Sequence, residues 1–65
     1  MNYIEAKYLK HVGEQVNAKV TLEIKGTEVE IWIRDYVFHD FKKALNYLKI
    51  IALTELNFEG DVTEL

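Results

Sequence analysis

The stretch Val16-Asn17-Ala18-Lys19-Val20-Thr21-Leu22-Glu23-Ile24-Lys25-Gly26-Thr27-Glu28-Val29-Glu30-Ile31-Trp32-Ile33 decides the fold. Val16, Ala18, Val20, Leu22 and Ile24 are apolar at every second position, the period of a strand with one buried face. Lys25-Gly26-Thr27-Glu28 interrupts the alternation, and Val29, Ile31 and Ile33 resume it. A two-residue Gly26-Thr27 loop has glycine at the first central position, as a type II′ turn requires. That turn pairs Lys25 with Glu28, Ile24 with Val29, Leu22 with Ile31 and Val20 with Ile33. A slip of one residue would place charges in the core, so turn chemistry and binary pattern select the same register. The reading is an antiparallel hairpin over 16–34.

On its N-terminal side, residues 2–12 read as a short helix. Met1, Ile4, Tyr8 and Val12 recur at helical spacing and share a face, with Leu9 beside it. Asn2 suits the N-cap, and Gly13 suits the left-handed position just past a helix end. Glu5 falls near the apolar arc and is the flaw in the pattern.

On the C-terminal side, Asp35 suits the N-cap of a second helix over 36–53. Val37, Phe38, Phe41, Ala44, Leu45, Leu48, Ile51 and Ala52 fall on one arc of it, wide enough to cover the hairpin. Leu56 and Phe58 then alternate with polar neighbours, which predicts a short third strand over 55–59. A right-handed crossover would lay it parallel to the hairpin. Residues 60–65 are expected to fray. The predicted architecture is α+β: one two-layer domain over 1–65, with the hairpin covered on one face by both helices.

Sixty-five residues allow one domain, and a core this small commonly draws on a disulfide, a metal or a second subunit. Cysteine is absent, which removes disulfides, thiolate ligands and thiol nucleophiles together and makes self-association the expected support. It also fits a reducing compartment. No apolar run has membrane-spanning length, and Glu5, Lys7 and Lys10 break any signal-peptide core, so a cytoplasmic protein is expected. The net charge of -3 is uneven: eight bases stand against seven acids through residue 49, whereas residues 50–65 carry four acids and no base. The body is close to neutral and does not exclude an anionic partner.

Catalytic parts are scarce. Serine is missing, and His11 and His39 each have one carboxylate nearby but no metal-ligand spacing. Gly-rich phosphate loops, nucleophile elbows and calcium loops do not occur, and so thin a domain is not expected to hold the ~300 Å³ of a small-molecule pocket. The expectation is a non-enzyme with no cofactor. Glu23 faces Glu30 across the hairpin, a like-charge pair of the kind that costs up to about 1 kcal/mol. Lys25, Lys19 or Arg34 leaning across is the expected relief, in preference to a bound hard cation.

Two surfaces remain for binding. Trp32 points away from the core if Ile31 and Ile33 point in, opposite Thr21, and Tyr36 is expected to continue that side. Large aromatics placed in solvent are candidate interface anchors. Tyr47 and Ile50 are apolar where the second helix should be polar. The other surface is cationic: Lys42, Lys43 and Lys49, with Lys7 and Lys10 on the first helix. Without arginine it would read phosphates weakly and only at low salt.

Neither the aromatic strand of an RRM nor the GxxG loop of a KH domain occurs. The favoured reading is a protein–protein interaction module, a small self-associating inhibitor or adaptor of phage or mobile-element type. A nucleic-acid-binding module using the lysine face is the alternative, and an orphan or designed scaffold without partner is the third.

Overall fold

Asn2 opens the first helix, α1 (Tyr3–Gln15), in a computed structural model that describes residues 1–55. The Asn2 side chain accepts from the Glu5 amide at 2.7 Å, and Glu5 accepts from the Asn2 amide at 3.0 Å. This capping box explains the acid in the apolar arc: Glu5 serves the first turn's unpaired amides. The helix runs through Gly13, beyond the expected end at residue 12. Its stop is Asn17, at φ 58°, with the Ala18 amide bonding back to the Gly13 carbonyl at 2.9 Å. Asparagine thus takes the left-handed position expected of glycine. Gly13 is needed for contact instead, since a Cβ there would overlap Val20 Cγ2 and come within 3.2 Å of the Ala18 carbonyl oxygen.

The buried face of α1 is Ala6, Leu9, Val12 and Gly13, with Val16 just beyond. Ile4, expected in that face, is 78% exposed. At 100° per residue, Leu9 and Val16 lie near the centre of the observed face and Ile4 falls far round the cylinder.

β1 (Val20–Lys25) and β2 (Glu28–Ile33) form the hairpin in the expected register, from Lys25 opposite Glu28 to Val20 opposite Ile33. Gly26 has φ 62° and Thr27 does not share the positive sign, the pattern of a type II′ turn. Val16 and Ala18 are buried but precede the strand, so the hairpin is shorter than 16–34.

The second helix does not begin at residue 36. Arg34-Asp35 is a second two-residue turn, and β3 (Tyr36–Phe38) returns antiparallel along β2 with Ile33 opposite Tyr36 and Ile31 opposite Phe38. Asp40, not Asp35, caps α2 (Phe41–Glu55), its carboxylate accepting from the Lys43 amide at 3.0 Å. The sheet has the order β1-β2-β3. The parallel strand expected over 55–59 and the frayed end over 60–65 lie outside the described residues, except Glu55, which closes α2.

Both helices pack on the sheet's inner face, α1 against β1 and β2, α2 against β2 and β3, and they touch each other. Leu9, Val12, Val16, Ile31, Ile33 and Leu48 are the largest fully buried side chains. Phe38, Phe41, Leu45 and Tyr47 flank them. Among the described residues no polar or charged residue is buried as a whole, and no helix is long and apolar enough to cross a membrane.

Candidate functional site

The outer sheet face is built by the same alternation that fills the core. With Ile31 and Ile33 turned to the helices, Glu30 and Trp32 of β2 turn outward, beside Glu23 and Thr21 of β1 and Val37 of β3. Trp32 is half-buried between Thr21 and Val37. Around it lies an open groove of about 540 Å³, lined by Lys19, Thr21, Glu23, Trp32, Arg34 and Asp35. The expectation that so thin a domain has no room for such a volume is therefore corrected. The space is a concavity on the sheet, rimmed by the Lys19 approach and the Arg34-Asp35 turn, and not an enclosed cavity.

The Trp32 indole Nε1 is buried and has no hydrogen-bond partner among the described residues. Its N–H is a donor only, so only an acceptor can satisfy it. The groove carries both signs of charge, with Lys19 and Arg34 against Glu23 and Asp35.

Arg34 is tied down. Its guanidinium donates to both Glu55 oxygens, at 2.7 and 2.6 Å, and its amide donates to the Lys19 carbonyl at 3.1 Å. The Glu55 hydrogen bonds raise the arginine's pKa, with Tyr47 contributing less, and the same arginine holds the Glu55 carboxyl below its ordinary value.

A second charged group lies on the same face. Lys25 leans across the opposed glutamates, 3.9 Å from Glu23 and 3.4 Å from Glu30. His39 Nε2 reaches the other Glu30 oxygen at 2.9 Å. The His39 hydrogen bond, and after it the charge of Lys25, hold the Glu30 carboxyl below its usual range against the opposing effect of burial. His39 thereby joins the outer sheet face through Glu30. Among the described residues no group of three or more His, Cys, Asp or Glu is placed to hold a metal ion.

The predicted interface residues separate. Trp32 and Thr21 are direct cross-strand neighbours. Tyr36 is on the opposite face from Trp32, because it pairs with Ile33, and its ring stands edge-on to Tyr47 at 5.6 Å. Tyr47 also packs on Phe38 at 5.5 Å, so it belongs to an aromatic seam between α2 and β3. Ile50 is 47% exposed on α2 with Leu53 three residues on at 56%, an apolar pair that the sequence reading named only in part.

The lysine face is also less uniform than its spacing suggests. Lys42 and Lys43 are exposed, but Lys49 is half-buried and Lys7 lies over the Tyr3 ring at 5.6 Å. Lys10 is exposed on α1. Ile50 and Leu53 break the outward arc of α2 in its second half. The residues missed by sequence reasoning are Lys19, Arg34 and Asp35 of the groove, and the signal lay in the Arg34-Asp35 turn. Comparisons with protein-family models, with curated proteins and with solved structures gave no match.

Proposed function

We propose that this protein is a non-enzymatic interaction module that docks a partner protein on its outer sheet face, around Trp32. The observation that carries the reading is the half-buried Trp32 ring lining an open groove, with an indole N–H that has no partner among the described residues. A buried donor left unpaired costs about 1–3 kcal/mol, and a partner whose docking turns the ring toward a carbonyl or carboxylate would remove that cost. Ring and donor together make tryptophan a frequent interface anchor. The mixed charges of the rim suit a polypeptide surface better than a phosphate backbone.

Self-association is part of the same reading, since a Cys-free domain of this size gains stability from a second subunit. The absence of cysteine fits work in the reducing cytoplasm of the producing or infected cell. The test is paired affinity capture from source-cell lysate with wild-type and Trp32→Ala baits, each first checked for its thermal midpoint. A protein retained by the wild type and lost by a folded Trp32→Ala supports the reading. Equal retention by both overturns it.

A further inference from the structure

The sheet has two outer edges of unequal kind. β3 is three residues long, whereas β1 offers six with a neighbour on one side only among the described residues. The two-residue turn makes Lys25–Glu28 a hydrogen-bonded pair, so bonded pairs recur at Glu23–Glu30 and Thr21–Trp32. The Arg34 amide bonded to the Lys19 carbonyl continues that alternation. The amides and carbonyls of Val20, Leu22 and Ile24 therefore point away from β2, along the edge that no other described strand pairs.

Proteins that keep an edge unpaired blunt it with charged side chains, proline, a bulge or an inward-pointing charge. β1 carries charge only on its outer face, at Glu23 and Lys25, and has none of the other devices. The chain contains no proline, the register runs without a bulge, and the inward residues of β1 are Val20, Leu22 and Ile24. The inner face is also left unfinished there, with Leu22 half-buried and Ile24 60% exposed.

We infer that β1 is the self-association edge, pairing antiparallel with β1 of a second copy about a two-fold axis at Leu22. The inference rests on the self-association proposed above and names its surface. In this register Leu22 meets Leu22, and Val20 meets Ile24 on either side, so all three outward-pointing sets of backbone groups find partners. Because α1 packs on Val20 through Gly13, the second copy's helix arrives beside the exposed Ile24 and covers it. Thr21 faces Glu23, and Lys25 faces Lys19 at the ends, where Lys25 is already held by Glu23 and Glu30 of its own copy. Neighbouring registers are worse. An axis at Glu23 sets two glutamates face to face, and an axis at Ile24 leaves Val20 unpaired and runs into the Gly26 turn.

Sedimentation equilibrium of the full chain, together with amide hydrogen exchange above and below the dissociation constant, tests this. A dimer is expected in which the Leu22 and Ile24 amides exchange slowly, and Ile24→Lys should weaken it about tenfold or more. Val37→Lys, on the other edge, should leave it intact. A monomer at every concentration overturns self-association and the edge together. A dimer whose Leu22 and Ile24 amides exchange as fast as in the monomer overturns the edge alone. The exchange measurement on the wild type decides the matter even if Ile24→Lys fails to fold.

Discussion

Arg34 grips Glu55 through both terminal guanidinium nitrogens, at 2.7 and 2.6 Å, while its own backbone stands at φ 57°. That φ lies in the region where a Cβ is strained and glycine is the usual residue. An arginine there is worth its strain for its side chain, which ties the last residue of α2 to the β2–β3 turn. Arg34→Ala keeps the strain and loses the tie, whereas Arg34→Gly loses both. Arg34→Gly should therefore be the more stable of the two variants by urea unfolding. The reverse order would show that the turn is not strained.

Glu30 and Glu55 give the protein a defined acid limit. Both carboxyls are held below their unfolded value of 4.5, Glu30 first by His39 and Glu55 first by Arg34. A depressed folded pKa contributes stability that is fully present above the unfolded value and is lost as pH falls through the folded one. Urea midpoints should be flat in this respect above pH 4.5 and drop below it. Glu30→Gln and Glu55→Gln should each flatten the acid limb, and an unchanged slope in the double variant would show that other groups govern it.

The hairpin was legible because two independent constraints, the period-two pattern and the Gly26 turn, admit one register. β3 was not, because its turn is Arg34-Asp35 and carries no glycine. Val37 and Phe38 are apolar residues that fit a helical arc with Phe41 as well as a strand, and a run this short does not separate the two periods. Asp35 and Asp40 are equally good caps by residue type, and only pairing to β2 decides between them. The error at Tyr36 follows, since a residue placed opposite Ile33 must share the inner face. The groove depended on the same turn, so Trp32 and Thr21 were readable and its Arg34-Asp35 rim was not.

Helix propensity and packing disagree at Gly13, and packing should win. Alanine in an exposed helix interior would gain about 1 kcal/mol over glycine. Here the new methyl would overlap Val20 Cγ2, with the Ala18 carbonyl oxygen at 3.2 Å behind it. Overpacking of this kind costs about 1–3 kcal/mol. Gly13→Ala should lower the thermal midpoint, and adding Val20→Ala should recover part of the loss. If Gly13→Ala is stabilising, α1 does not approach β1 as closely as described.

The orientation of α1 is testable from its two isoleucine-sized extremes. Leu9 is fully buried and Ile4 is 78% exposed. Leu9→Ala should cost about 2–5 kcal/mol, and Ile4→Lys should change stability by no more than about 0.5 kcal/mol. Equal losses in chemical denaturation would restore the face that runs through Ile4.

Trp32→Phe separates the donor from the ring. Phenylalanine keeps most of the apolar contact with Thr21 and Val37 and removes the N–H that has no partner among the described residues. In the free protein the loss of ring volume is offset by release of an unpaired donor, so Trp32→Phe should be clearly more stable than Trp32→Ala. Binding should respond differently. If the partner supplies an acceptor to the indole, Trp32→Phe loses a hydrogen bond on that side too and leaves the acceptor unpaired, a penalty of about 1–3 kcal/mol. Affinity should then fall roughly 5- to 150-fold, at about 1.4 kcal/mol per factor of ten. Calorimetry with the captured partner, alongside thermal unfolding of each variant, makes the comparison. A Trp32→Phe protein that binds as tightly as the wild type would show that the ring alone is recognised and that the indole N–H plays no part.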